Sequence, residues 1–303
     1  MRKAIFIDSN HLLSRTFHVP SFQELKTTIN DEVVFTGATY GFLMSLKRLV
    51  ERYKELDDTL VAVWDGGRGF RVEISDQYKA NRAPKTPVFL RQVDLTRQFL
   101  KAMGVAQCQV KNTEADDIIA TLTRRARLKN FDVLIISGDK DFNQVVSDHV
   151  HVLNPKGHDE YIMMTPESVE ATYGISPRQF VDYLALVGDS SDNVKGIDGV
   201  GKKTAAQLIK CNGTVEDIIS ADIHYKFDDG GSKKPVTEKL QEKLNASKEI
   251  LKLAKQLVQI RSDFTDFEVD CPEPDFMLLK AMFKQYSFKT FLNSFNEFVA
   301  VFS

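Results

Sequence analysis

Glu114-Ala115-Asp116-Asp117 and, a short way on, Ser137-Gly138-Asp139-Lys140-Asp141 decide how this chain reads. Between them, Ile118-Ile119-Ala120-Thr121-Leu122 has the character of a helix and Phe131-Asp132-Val133-Leu134-Ile135-Ile136 that of a buried strand. Helical spacing puts Glu114 and Asp117 on one face, with Asp116 one position round. A strand extended past its end would point Asp139 and Asp141 to the same side. Five carboxylates thus fall within 28 residues, at the mouth of one helix–strand unit. Carboxylates so close repel one another and persist where something cationic sits among them. Magnesium, a hard cation that prefers oxygen ligands, suits them best. Either acidic group alone reads equally well as a favourable helix start or a solvated loop.

Two further strands shift that balance. Ala4-Ile5-Phe6-Ile7 runs into Asp8, and Leu60-Val61-Ala62-Val63-Trp64 runs into Asp65. In an open parallel sheet, ligands bind outside the carboxyl ends of the strands, so acids from three strand ends are expected to converge there.

The chain has 303 residues, 43% hydrophobic and 27% charged, ordinary for one or two globular domains. No apolar run reaches the ~18 residues of a membrane span, and the N-terminus leads straight into a strand, so neither a membrane partner nor a signal peptide is expected. Cys108, Cys211 and Cys271 make no zinc pattern and no disulfide framework, which favours a reducing cytoplasm. The net charge of −2 hides a division of labour. Setting aside nine acids (the seven above, with Asp189 and Asp192) leaves 40 basic residues against 33 acidic ones, a shell of +7. An acidic, metal-filled centre in a basic shell suits a polyanionic ligand.

After Asp8, the position two residues on is Asn10, which counts against a phosphatase using an aspartyl-phosphate. Residues 66 to 91 hold Arg68, Arg71, Lys79, Arg82, Lys85 and Arg91 against Glu73 and Asp76, with Phe70, Tyr78 and Phe89 interleaved. The segment leaves the sheet at Asp65. Its cations are expected to meet a phosphate there and Tyr78 to offer a stacking face to a base. Lys79 and Arg82, three apart, would share a helical face. His149, His151 and His158 occupy strand and loop positions and read as structural. From Ser176 the strand–helix alternation fades and the chain becomes largely helical. Gly188-Asp189-Ser190-Ser191-Asp192-Asn193 again spaces two acids by three. Gly196, Gly199 and Gly201 then permit a tight turn opening a helix, with Lys202, Lys203 and Thr204 at its start. Such a hairpin grips a phosphodiester without reading bases. A long helix over about residues 237–260 follows, then amphipathic helices whose phenylalanines read as core.

The two acidic motifs, Tyr78-Lys79-Ala80-Asn81-Arg82 and the block Gly188–Ala205, in this order, resemble the 5′-nucleases: the 5′→3′ exonuclease domain of bacterial family A DNA polymerases, the flap endonucleases and phage 5′-exonucleases. The resemblance implies a mostly parallel central sheet flanked by helices, of PIN-like type, over residues 1–175 with a basic arch at 66–91. A helical region over 176–303 would carry a helix-hairpin-helix-type motif at 188–210. It implies that Asp8, Asp65, Glu114, Asp116, Asp139, Asp141 and Asp192 match metal-site carboxylates and that Asp117 and Asp189 match supporting acids. Lys79 and Arg82 match the basic pair of the arch that reaches the scissile phosphate. Gly196 to Thr204 match the hairpin that holds the duplex, in some members with a monovalent cation such as K+. Lys195 and Asp198 stand where many members have proline, and Ser9 where glycine is common.

The implied activity is magnesium-dependent 5′→3′ exonuclease and flap endonuclease cleavage of branched or 5′-ended duplex DNA in replication or repair, with manganese as a substitute ion. Removal of RNA primers from RNA–DNA hybrids, in the manner of RNase H, is the rival enzyme reading. A non-catalytic binder of branched DNA is the rival from another class, and nine intact carboxylates argue against it. A free-standing monomer working beside single-stranded-DNA-binding or other replication proteins is expected, in a bacterial cytoplasm or that of a phage host.

Overall fold

Lys3–Asp8 is buried from Ala4 onward, as a strand covered on both faces must be, and this accounts for its unbroken apolar run. In the computed structural model, which describes residues 2–157, 160–220, 226–229, 232–235 and 237–302, it pairs in parallel with Thr59–Trp64 on one side and Asp132–Ile136 on the other. Ala106–Gln109 lies parallel to the outer side of Thr59–Trp64. Asp8 stands opposite Val63 and Ile7 opposite Ile136, so the strands run out within two residues of one another.

These strands belong to the first of two compact units, made of residues 1–67, 84–138 and 262–303. Helices Ser9–Phe17, Gly37–Tyr53, Pro87–Ala102 and Ala115–Leu128 accompany them. Gly37–Tyr53 buries Phe42, Leu43, Leu46, Leu49 and Val50, spaced three and four apart along one helical face. Pro87–Ala102 begins at Pro87 because the Thr86 side chain accepts the Phe89 N–H and proline suits the first helical position. Of the C-terminal phenylalanines, Phe283, Phe288, Phe291 and Phe298 are core, while Phe276 and Phe295 are half-buried. Phe99 stacks on Phe283 and Phe288, each at 5.4 Å, and Phe298 meets Phe283 edge-on at 5.2 Å.

The second unit comprises residues 68–83 and 139–261. It holds a 3₁₀ turn at Lys140–Val145, an antiparallel pair Val150–Pro155 and Tyr161–Met164, and helices Pro166–Tyr173, Phe180–Val187 and Lys202–Asn212. The single long helix expected over 237–260 is two, Glu238–Ala246 and Lys248–Val258, parted at Ser247. Lys226–Asp229 and Ser232–Pro235 pair as antiparallel strands. His158, Gly230 and Gly231 lie outside the described residues. Among the described residues no helix is long and apolar enough to cross a membrane.

Candidate active site

The acids of the first unit sit at strand ends and at one helix start. Asp8 closes its strand and caps the helix after it, its Oδ1 accepting the His11 N–H at 3.0 Å. Its Oδ2 accepts the Ser137 hydroxyl at 2.8 Å, from the residue that follows Asp132–Ile136. Asp65 follows Trp64. Its backbone N–H donates to Asn10 Oδ1 at 2.9 Å, and its own Oδ1 accepts the Ala115 N–H at 3.2 Å. Lys85 Nζ is 3.3 Å from Asp65 Oδ2. Glu114 is the N-cap residue of Ala115–Leu128, with Asp116 and Asp117 in the first turn, where the positive end of the helix dipole favours them. Glu114 and Asp117 are buried and Asp116 is half-buried.

In the second unit the chain does not stay extended past Gly138. Asp139 caps the 3₁₀ turn, its Oδ1 accepting the Asp141 N–H at 2.9 Å. The expected alternation of Asp139 and Asp141 along a strand therefore gives way to an N-cap and a first-turn residue. Asp141, Asp189 and Asp192, all buried, bring carboxylate oxygens within 4.8 Å of one another. Asp141 Oδ1 is buried and, among the described residues, no hydrogen-bond partner reaches it. Burial first, then the neighbouring Asp139 and Asp189 charges, push the Asp141 carboxyl well above its ordinary range. Asp189 goes the other way. Burial would raise it, but hydrogen bonds from Lys140 and Ser191 outweigh that and hold it low.

The arch residues are placed differently from expectation. Gln77 to Arg82 form turns, not a helix, and Lys79 has a left-handed backbone with φ of 53°. That conformation costs a non-glycine residue roughly 1 kcal/mol, and the Lys79 N–H donating to the Asp192 carbonyl at 2.9 Å helps to hold it. Lys79 Nζ is 3.5 Å from Asp192 Oδ2, the Tyr78 hydroxyl donates to the same oxygen at 3.1 Å, and Arg82 pairs with Oδ1. Asn81 donates to the Ser190 carbonyl and Asn193 to that of Gln77. Tyr78 is 2% exposed, so its ring offers no stacking face to a base. Arg71 is also buried, at 2%, donating from Nε to the Leu257 carbonyl and from Nη2 to that of Gln259. Its guanidinium is turned to the protein's own carbonyls, where a DNA contact was expected. Arg68 is exposed as a DNA contact would be.

The hairpin is built on close approach. A side chain at Gly196 would come within 2.4 Å of the Val187 backbone, and Gly199 has φ of 86°. Gly201 is the N-cap of Lys202–Asn212 and faces open space, with Lys202 and Lys203 exposed and Thr204 half-buried. Lys243 donates to the Asp198 carbonyl at 2.8 Å. Nothing in the sequence pointed to Lys243, nor to the carboxylate and backbone partners that Ser137, Asn10, Lys85 and Ser191 take. Each acts on a partner far along the chain or through a short polar side chain with no periodic signal.

The family model described as the 5′-3′ exonuclease N-terminal resolvase-like domain matches residues 3–174, and that of the 5′-3′ exonuclease C-terminal SAM fold matches residues 175–278. DNA polymerase I of Bacillus caldotenax is 35% identical over 296 residues, which cover 96% of this chain and 32% of the polymerase. The chain spans about a third of the length of the curated relatives it matches. Among solved structures, T5 5′-exonuclease with bound zinc shares the fold with a TM-score of 0.69, at 20% identity and full coverage of both chains. The bacteriophage T5 flap endonuclease in complex with DNA and metal ions has a TM-score of 0.68, at 20% identity and 99% coverage of each. With both family models matched in order over residues 3–278, the chain belongs to the 5′-3′ exonuclease family.

Proposed function

We propose that this protein is a magnesium-dependent 5′-nuclease that hydrolyses phosphodiesters at the 5′ ends and flaps of branched duplex DNA. The observation that carries the reading is the cluster of Asp141, Asp189 and Asp192 oxygens, in which Asp141 Oδ1 is buried without a partner among the described residues. An all-oxygen donor set of this kind fits a hard divalent cation. Family membership and the metal ions and DNA of the T5 structures support it further.

Asp141 and Asp192 would hold an ion in the second unit, with Asp139 bracing the turn that carries Asp141. In the first unit Asp8, Asp65, Glu114 and Asp116 would serve the same end, steadied by Ser137, Asn10 and Asp117. Divalent ions so held lower the pKa of an attacking water and stabilise the attacking and leaving oxygens. Arg82, exposed beside Asp192, and Lys79, buried against the same carboxylate, would bring positive charge next to that developing on the phosphate. Lys202, Lys203 and the helix start at Gly201 would grip the backbone of the duplex, independent of its sequence.

A 5′-labelled flap duplex and a labelled RNA–DNA hybrid, each incubated with magnesium and with chelator, test the reading. Magnesium-dependent release of label from the flap is expected. Cleavage confined to the hybrid would move the assignment to primer removal, and binding with no cleavage of either would overturn it.

A further inference from the structure

The three clustered acids of the second unit are partnered unequally. Asp189 is saturated: Lys140 Nζ lies 2.8 Å from its Oδ2, while Oδ1 accepts the Ser191 N–H at 2.8 Å and the Ser191 hydroxyl at 2.7 Å. Asp192 takes Lys79, Arg82 and Tyr78. Asp141 Oδ1 has no partner among the described residues. Lys140 stands between Asp139 and Asp141 in the chain, so its side chain spans from the turn carrying those two acids to the loop carrying Asp189 and Asp192. It is part-exposed, 41% at the side chain, while the Asp189 side chain is 6% exposed.

We infer that Lys140 is a positioning residue, a resident counter-ion that ties the Asp139–Asp141 turn to the Asp189–Asp192 loop and keeps the acid cluster assembled before a divalent ion binds. This rests on the metal reading above. The physical reason is the cost of a buried carboxylate left without a counter-charge, which exceeds the gain of an exposed ion pair. With Asp189 bonded by Lys140 and Ser191, and Asp192 by Lys79, Arg82 and Tyr78, Asp141 Oδ1 is the cluster oxygen that no partner reaches among the described residues and the one left to meet an ion. Asp189 then acts as the fixed post against which the other two are set.

The test is thermal unfolding of the full chain, in chelator and in calcium, for wild type, Lys140→Met, Lys140→Arg and the pair Lys140→Met with Asp189→Asn. In chelator, Lys140→Met is expected to lower Tm by about 4 °C, and calcium should restore most of that loss. The calcium-induced rise is therefore larger in the variant than in wild type. Lys140→Arg should behave as wild type. The double variant should recover stability in chelator, because the stranded charge leaves with its partner. An equal loss with and without calcium would make Lys140 a merely structural ion pair and overturn the inference, as would no loss at all. A wild type that gains nothing from any divalent ion would instead sink the metal reading itself.

Discussion

The Ser137 hydroxyl donates to Asp8 Oδ2 at 2.8 Å, joining two residues 129 apart at the ends of neighbouring parallel strands. Both are buried. The bond fixes the Asp8 carboxylate from one side while the His11 N–H fixes it from the other.

Removing it should cost more in chemistry than in stability. Ser137→Ala is expected to destabilise the fold by about 1 kcal/mol, the usual net worth of such a hydrogen bond. The same variant should raise the magnesium concentration needed for half-maximal cleavage severalfold. A magnesium titration of the flap-cleavage rate checks this. An unchanged titration would remove Ser137 from the metal-holding machinery.

Asp141 supplies a pH dependence with a definite sign. A carboxyl whose folded pKa lies above its unfolded value takes up protons more readily when folded, so its ionisation subtracts stability as pH rises. For Asp141 the loss starts above the unfolded value, near 3.8, and grows until the group is ionised. In chelator, Asp141→Asn should therefore be more stable than wild type at neutral pH, with the difference closing toward about pH 4. Thermal melts across that range decide it. Parallel curves for the two proteins would contradict the burial of the carboxyl.

Arg71 and Arg68 should separate cleanly. Arg71→Ala leaves two carbonyls without their charged donor, so it should destabilise by about 3 kcal/mol. It should leave the salt dependence of DNA binding untouched. Arg68→Ala should leave stability alone and lower that dependence. Denaturant unfolding together with binding titrations at several salt concentrations distinguishes them, and a reversal of the two patterns would refute the placement.

Lys202 and Lys203 are exposed at the start of the helix that Gly201 opens. Replacing both with alanine should weaken binding to all duplex sequences alike and shrink the slope of log K against log salt by about one to two units. An unchanged slope would exclude backbone contact by this hairpin.

The acids were legible because strands and acids obey local rules. An apolar run that ends in aspartate states both its burial and its terminus, as Leu60 to Asp65 does. The hairpin was legible through the backbone demands met by Gly196 and Gly199. The local placement of the arch residues was hidden for the opposite reason. Tyr78 and Lys79 look like a surface pair because the partner that buries them, Asp192, lies 114 residues from Tyr78. Arg71 looked like a phosphate contact because the carbonyls it binds lie at Leu257 and Gln259. A lysine or arginine carries the same letter whether it meets a phosphate or the protein's own chain. The turn at Asp139 was hidden too, since the capping that bends Lys140–Val145 into a 3₁₀ turn depends on the Asp139 side chain folding back onto the Asp141 N–H.

The central claim, that these carboxylates perform metal-dependent phosphodiester hydrolysis and do not merely bind DNA, is tested most directly by Asp141→Asn. Single-turnover cleavage of a 5′-flap duplex at saturating enzyme in magnesium would be measured beside affinity for the same duplex in calcium. The account predicts a cleavage rate lower by several orders of magnitude with affinity nearly unchanged. Cleavage at close to the wild-type rate would contradict it.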